Sequence, residues 1–197
     1  GTLANNFWPA FGNTLFFTLV TVLLETILGI GMALVMAKDF HGRGLLRAAV
    51  LVPWAIPTAI TAKLWAFLFS EQGIVNSIFH AHVAWQTDPW AARFSIILAD
   101  VWKTTPFMAL LILAGLQMIP KDLYEAARMD GANAWQRFTR ITLPLAKNSI
   151  IVAVLFRMLD ALRMYDLPYI MVGPNPDSPT ATPVSYTHLT LPTTHYV

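Results

Sequence analysis

The stretch of sequence that decides the fold is residues 11–37, FGNTLFFTLVTVLLETILGIGMALVMA, in which Glu25 is the only charged residue. An α-helix needs about 20 consecutive apolar residues to cross the ~30 Å hydrocarbon core of a bilayer. A helix also satisfies its backbone hydrogen bonds within its own segment, as a chain in lipid must. This stretch exceeds the required length, so it predicts a transmembrane helix that is long enough to tilt.

Three further apolar stretches predict three more transmembrane helices, at about residues 48–69, 94–118 and 145–170. Of the 197 residues, 56% are hydrophobic and 12% are charged, and the mean hydropathy is +0.54. Soluble domains carry roughly 25% charged residues, so this composition indicates a membrane protein. The predicted fold class is therefore all-α, a polytopic helical membrane protein with four transmembrane helices.

The short loops predict the orientation of these helices. Basic residues gather near two of the loops, at Lys38, Arg43, Arg47, Lys121, Arg128, Arg137, Arg140 and Lys147. The loop at 70–93 contains one basic residue, Arg93. Because Lys and Arg concentrate on the cytoplasmic side, the loops at 38–47 and 119–144 are expected in the cytoplasm. Residues 1–10 are then expected on the outer side.

Composition also excludes several kinds of site. The chain has no cysteine, so disulfides and thiolate metal sites are excluded. His80 and His82 in the outer loop are too few to predict a metal site. The net charge of +2 is too small to indicate nucleic-acid binding.

Ionisable residues inside the predicted spans are candidate functional groups, because such groups usually face protein or water. Five of them form two closely spaced sets on the third and fourth spans: Asp100, Lys103, Arg157, Asp160 and Arg163. They are expected either to pair between helices or to line a hydrated solute pathway. The same alternatives apply to Glu25 and Lys63.

The loop at 119–144 is unusually structured for a short connection between spans. Asp122 and Glu125 have the spacing of a helix capping box, and Gly131 suits the residue after a helix C-terminus. Asn133 and Gln136 repeat the capping pattern, which predicts a second helix. Two short amphipathic helices are therefore predicted, which either rest on lipid headgroups or form a docking surface for another protein.

The same loop carries a long gapped motif: Glu125-Ala126-Ala127, three residues, Gly131, nine residues, then Ile141-Thr142-Leu143-Pro144. The motif resembles the signature of the integral-membrane permease subunits of binding-protein-dependent ABC importers. The stretch 124–132, Trp135 with Phe138, and Tyr165-Asp166-x-Pro168-Tyr169 are similar to the carbohydrate-uptake branch, such as maltose and glycerol-phosphate permeases. The resemblance covers roughly residues 11–172 and implies a multi-pass protein of a bacterial or archaeal inner membrane.

The resemblance implies a mechanism and a set of partners. In this family the loop forms a coupling helix that sits in a cleft of a cytoplasmic ATPase. Closure of two ATPases drives the membrane subunits from inward- to outward-facing. The implied partners are a cytoplasmic ABC ATPase dimer, a second related permease subunit, an extracytoplasmic solute-binding protein and membrane lipid.

The resemblance also assigns roles to residues. The residues implied to contact or shape the ATPase interface are Glu125, Ala126, Ala127 and Gly131. The residues implied to anchor the loop to the fourth span are Ile141, Leu143 and Pro144. No Gly-Lys-Ser or Gly-Lys-Thr phosphate-binding sequence occurs in the chain. No cofactor is therefore expected on this chain, and ATP is expected to be used by the partner ATPase.

The chain departs from the family pattern at both ends. Members usually have six spans, and an early span and the final span are absent here, so an incomplete six-helix permease is expected. From Gly173 onward the sequence is rich in Pro, Thr and polar residues. This composition predicts a disordered polar tail at 173–197, which we interpret as a truncation or frameshift product.

The sequence therefore favours a permease subunit of a carbohydrate importer that catalyses no covalent chemistry. A neutral di- or oligosaccharide is the expected solute, with glycerol phosphate as an alternative. Two other classes stay open: an ion-coupled carrier or channel that uses the intramembrane charges as a relay, and a membrane scaffold that recruits a soluble partner. Uptake without ATP would indicate the carrier, and solute-stimulated ATP hydrolysis would exclude the scaffold.

Overall fold

The computed structural model describes residues 2–83, 85, 88–162 and 171, with side chains from residue 8 onward. In chain order, the helices are α1 Thr2–Met36, α2 Arg43–Ala55, α3 Thr58–Leu68, α4 Ile74–Phe79, α5 Pro89–Gln117, α6 Lys121–Met129, α7 Ala134–Arg137 and α8 Leu143–Leu162. A π-helical turn, Phe138–Thr142, joins α7 to α8. No strand occurs among the described residues, and the all-α fold class is confirmed.

Three helical segments are long and apolar enough to cross a membrane: Trp8–Met36, Pro89–Gln117 and Ala134–Leu162. The pair α2 and α3 makes a fourth if it is counted as one bent span. These segments match the four predicted spans and confirm a multi-pass membrane protein. The end of the fourth span beyond residue 162, Arg163, the segment 165–169 and the tail at 173–197 lie outside the described residues.

Two prolines four residues apart, Pro53 and Pro57, predict a bend in the span at 48–69, but the structure interrupts this span. Pro53 lies inside α2, whereas Ile56 and Pro57 separate α2 from α3. Pro57 has no N–H to donate and disfavours a helical backbone at the preceding residue, so the helix stops there. The Nζ of Lys103 donates a hydrogen bond of 2.7 Å to the carbonyl oxygen of Ile56 and satisfies that group at the break.

The chain divides into two compact units. The first unit consists of Gly1–Val22, Ala55–Lys103 and Met158–Val197. The second unit consists of Leu23–Trp54 and Thr104–Arg157, and it contains the predicted cytoplasmic loop. Helices α1, α5 and α8 each contribute residues to both units.

Aromatic side chains build the core of the first unit. Phe17 and Ile96 are fully buried there together with Phe69. Trp65 stacks on Phe69 with ring centroids 5.6 Å apart, and Trp85 lies 5.0 Å from the same ring. Because each aromatic ring buries a large apolar area, these contacts hold the parts of α1, α3 and α5 that belong to this unit.

Helices α5 and α8 approach closely in the second unit because small residues face each other. A methyl group built on Gly115 of α5 would lie 2.2 Å from Oγ and 2.4 Å from Cβ of Ser149 on α8. Small residues let membrane helices pack by close backbone approach, since lipid supplies no hydrophobic force between helices. Gly115 therefore sets the spacing of the two helices that flank the loop at 119–144.

We predict that Gly115→Ala destabilises the protein by about 1–3 kcal/mol, because overpacking forces the helices apart. Adding Ser149→Gly to that variant should restore much of the loss. The measurement is the thermal unfolding midpoint in detergent. Gly31→Ala is the matched control, since a methyl group on Gly31 meets nothing within 4 Å; an equal loss in both variants contradicts the packing argument.

Candidate functional site

The loop at 119–144 begins with helix α6, whose start differs from the predicted one. The N-cap residue is Pro120, with an extended backbone and no side-chain capping bond, so the predicted capping box of Asp122 and Glu125 is wrong. Pro120 already fixes the turn between α5 and α6, which places Asp122 inside the first helical turn. Asp122 near the start and Arg128 near the end still complement the helix dipole.

The end of α6 is a Schellman motif, as the glycine predicted. Gly131 adopts φ +79°, and its N–H donates to the carbonyl of Arg128 at 3.0 Å. The N–H of Ala132 donates to the carbonyl of Ala127 at 3.0 Å. These two bonds satisfy carbonyls at the helix end, and the left-handed residue requires glycine for lack of a Cβ. The predicted helix end at Gly131 is confirmed.

The predicted capping box of the second helix is confirmed. The N–H of Gln136 donates to Asn133 Oδ1 at 2.8 Å, and the N–H of Asn133 donates to Gln136 Oε1 at 3.0 Å. The helix that follows is not a separate amphipathic helix, however. After only four residues, α7 runs through the π-helical turn directly into α8.

The π-helical turn explains how a proline fits at that junction. The N–H of Leu143 donates to the carbonyl of Phe138, five residues back. Pro144 cannot donate to residue 140, and its ring would crowd that carbonyl in a regular helix. A widened turn just before proline removes this conflict, so the helix continues into the membrane span.

The motif residues divide between an exposed and a half-buried set. Glu125 and Ala126 are exposed on α6, while Ala127 is half-buried. At the far end, Ile141 and Leu143 are half-buried, and Pro144 is exposed. The loop therefore presents Glu125 and Ala126 to its surroundings and buries part of its far end, as a docking element would.

Large apolar side chains also stand exposed on the loop. Met129 is 89% exposed, Trp135 is 70% exposed and Leu123 is 42% exposed. Exposed apolar groups beside an exposed carboxylate at Glu125 are typical of a protein-docking surface. A docking surface on this loop is one of the two alternatives that the sequence left open.

A cleft of about 690 Å³ lies beside α6 within the second unit. Its charged lining comprises Lys38, Asp39, Arg43, Lys121, Glu125 and Arg128. A hydrogen bond from Lys121, the charge of that ammonium and the nearby Arg43 hold the pKa of Asp39 below its usual value. The Asp39 carboxylate therefore stays ionised at neutral pH and links α6 to the end of α1.

A buried ion pair lies deeper in the same unit. Arg157 on α8 donates from Nε to Glu25 Oε2 at 2.6 Å and from a terminal nitrogen to Oε1 at 3.2 Å. The side chains of Arg157 and Glu25 are 2% and 0% exposed. Thr104 on α5 also donates to Glu25. Three helices therefore meet at one carboxylate, where the sequence offered Lys63 as the partner of Glu25.

The other intramembrane residues lie in the first unit or outside the described residues. Asp100 is buried and 8% exposed, Asp160 is exposed, and Lys103 binds the carbonyl at the α2–α3 break. Arg163 lies outside the described residues. Within the described part, no three His, Cys, Asp or Glu side chains come together as a metal site.

These observations define a class: a polytopic α-helical membrane protein with a structured loop at residues 119–144 between two of its spans. The family profile described as "Binding-protein-dependent transport system inner membrane component" matches residues 25–190. The chain belongs to this family of inner-membrane transport components.

Three relatives show what the chain is similar to. It is 48% identical over 184 residues to the trehalose/maltose transport system permease protein MalF of Thermococcus litoralis, covering 91% of this chain and 62% of the relative. It is 42% identical to the sulfoquinovosyl glycerol permease protein SmoG of Agrobacterium fabrum, with 92% and 61% covered. It is 40% identical to the trehalose permease protein SugA of Mycobacterium tuberculosis, with 92% and 60% covered. The chain thus spans about three fifths of these relatives' length.

The fold of this chain is also similar to that of solved ABC transporter structures. The chain matches a bacterial alginate ABC transporter, crystallised with an alginate-bound periplasmic protein, at TM-score 0.78 and 29% identity. The match covers 90% of this chain and 64% of that chain. An amino acid ABC transporter matches at TM-score 0.53 and 17% identity, which supports the fold alone.

We predict that Glu25→Gln destabilises the protein strongly, by roughly 3–5 kcal/mol, because breaking a buried ion pair by removing one partner has about that cost. The double variant Glu25→Leu with Arg157→Met should recover a large part, since it removes both buried charges. The unfolding midpoint in detergent measures both.

Asp39→Asn is the control for that experiment, since Asp39 forms an exposed pair with Lys121. Exposed pairs contribute little, so its midpoint should stay within experimental error of the unchanged protein. A Glu25→Gln midpoint equal to that of Asp39→Asn would contradict the assignment.

Proposed function

We propose that this chain forms the membrane-spanning part of a permease subunit of an ABC importer for carbohydrates. A separate cytoplasmic ATPase dimer drives transport, and the loop at 119–144 receives that drive. An extracytoplasmic solute-binding protein delivers the solute. A second related permease subunit completes the membrane part. The family match and the sugar-transport relatives support this reading.

The observation that carries the proposal is the geometry of α6, which we name the coupling helix. It holds Glu125 and Ala126 exposed, while the Schellman motif at Gly131 and the capping box that begins at Asn133 fix the chain that follows. A rigid helix with an exposed small-residue face allows close approach by another backbone. We assign the contact with the ATPase to Glu125, Ala126, Ala127 and Gly131, and the anchoring of the loop to Ile141, Leu143 and Pro144.

The energy source is a partner in this proposal. The 197 residues contain no Gly-Lys-Ser or Gly-Lys-Thr phosphate-binding sequence. The chain then binds no cofactor of its own, and ATP is hydrolysed by the partner subunits. The exposed apolar side chains of Met129 and Trp135 add area to the surface that would meet such a partner.

The solute is proposed to be a di- or oligosaccharide. The relatives are named for transport of trehalose/maltose, trehalose and sulfoquinovosyl glycerol, and the similar structure is an alginate transporter. Asp100, Lys103, Asp160 and Arg163 stay candidates for the solute pathway. We assign Arg157 to helix packing instead, because its guanidinium is buried against Glu25.

The direct test is reconstitution of the complete importer containing this chain in proteoliposomes. Sugar uptake should require ATP inside the ATPase-facing compartment and should persist when an uncoupler dissipates ion gradients. Solute-loaded binding protein should stimulate ATP hydrolysis. Uptake that proceeds without ATP and stops with the uncoupler would instead support an ion-coupled carrier.

We predict that Glu125→Lys lowers uptake by at least about tenfold while membrane insertion is retained, because a reversed charge at an interface costs several kcal/mol and each 1.4 kcal/mol is tenfold. Gly131→Pro should act in the same direction, since proline cannot adopt the φ of +79° seen there. Uptake and ATP hydrolysis in proteoliposomes are the measurements.

Asp122→Lys is the matched control, with the same charge reversal on an exposed residue of the same helix outside the motif. It should lower uptake less than Glu125→Lys does. Unchanged uptake in both Glu125→Lys and Gly131→Pro would remove the loop from the coupling pathway.

A further inference from the structure

One side-chain hydrogen bond joins the coupling helix to the membrane span that follows it. The hydroxyl oxygens of Tyr124 on α6 and Thr142 at the end of the π-helical turn lie 2.6 Å apart. Thr142 is 4% exposed and Tyr124 is half-buried. We propose that this pair acts as a strap that passes movement of α6 directly to α8, an inference that rests on the proposed function.

The covalent route between the same two points is long and indirect. It passes through the turn at Gly131, whose φ is +79°, and then through α7 and the π-helical turn. The Schellman motif fixes the end of α6, but its hydrogen bonds join α6 only to residues 131 and 132. Arg137 donates a hydrogen bond of 2.8 Å to the carbonyl of Ala132, and the capping box joins Asn133 to Gln136. These bonds lie within residues 132–137 and do not connect α6 to α8.

The other polar link from α6 within the second unit is weaker by its setting. Lys121 binds Asp39 at 3.1 Å, but the two side chains are 84% and 69% exposed. Exposed ion pairs between flexible side chains contribute little and are screened by salt. The Tyr124–Thr142 bond is instead partly buried, with Thr142 only 4% exposed, so it competes less with solvent for its partners.

The position of Thr142 makes it a suitable receiving point. It is the last residue of the π-helical turn, directly before α8 begins at Leu143. Widened turns of this kind lie often at functional sites and adjust the register of a helix. The Tyr124 side chain has a rigid ring and few rotatable bonds. A displacement of α6 is therefore transmitted to Thr142 with little loss to side-chain rotation. Tyr124 and Thr142 are thus positioning residues for coupling and touch no solute in this account.

The test uses the complete importer containing this chain, reconstituted in proteoliposomes, with uptake per ATP hydrolysed as the readout. Tyr124→Phe and Thr142→Val each remove one hydroxyl and keep the shape of the side chain. Each should lower uptake per ATP by about fivefold, because the loss of one ordinary hydrogen bond changes an equilibrium constant by about that factor. ATP hydrolysis and co-purification of the ATPase should be retained.

Three further variants separate coupling from loop stability. The double variant should be no worse than either single one, because both remove the same bond. Thr142→Ser keeps a hydroxyl and should retain near-normal uptake per ATP. Thr139→Val is the matched control. Thr139 lies in the same turn, and its hydroxyl donates only locally, to the carbonyls of Trp135 and Gln136. This variant should have the same uptake per ATP as the unchanged protein.

Several outcomes would overturn the strap. Uptake per ATP could be unchanged in both single variants, or it could fall equally in Thr139→Val. The losses in the double variant could be additive. The ATPase could also be lost on purification, which would mean that the pair only shapes the docking surface. Absence of ATP-dependent uptake by the unchanged protein would overturn the proposed function itself, and the strap with it.

Discussion

A carboxylate and a guanidinium buried together at membrane depth constrain the second unit more than any other contact described in it. Glu25 on α1 accepts from Arg157 on α8 and from Thr104 on α5, and both charged side chains are almost fully buried. An isolated charge at this depth costs several kcal/mol, so neither helix can move away without exposing an uncompensated charge to an apolar environment. The pair therefore restricts three helices to one arrangement.

That arrangement constrains the loop at 119–144. The loop at 119–144 connects α5 to α8, and these helices are held together by Glu25 and by the close approach of Gly115 to Ser149. Both ends of the loop are therefore held. In the proposed coupling role, the strap from Tyr124 to Thr142 passes movement of α6 directly to α8. A carrier that uses Glu25 as a mobile proton relay fits less well, since the carboxylate is engaged by two other helices.

Much of this organisation follows from patterns that are local in sequence. The spans could be predicted because a helix needs about 20 apolar residues to cross the bilayer. The helix end at Gly131 and the Asn133–Gln136 capping box could be predicted because each depends on neighbouring residues only. The break at Pro57 was anticipated only as a bend, because its compensation by Lys103 comes from a residue 47 positions away.

Contacts between distant residues could not be predicted. Glu25 and Arg157 are 132 residues apart, and nothing in the local sequence favours that pair over Glu25 with Lys63. The Asp122 capping box failed for a different reason, because Pro120 had already fixed the start of α6. The continuous path from α7 into α8 was missed since proline usually ends a helix, and only the π-helical turn accommodates it.

The central claim is that a separate ATPase binds the coupling helix, and cysteine cross-linking tests it most directly. The chain has no cysteine, so Ala126→Cys, at an exposed position, introduces a single reactive thiol. In membranes containing the complete importer, this thiol should cross-link to the ATPase subunit in a yield that changes when ATP binds. A thiol at the exposed residue Phe79, on the predicted outer side, should give no such product. Equal yields from both positions, or no ATPase product from position 126 in an importer that is active, would contradict the account.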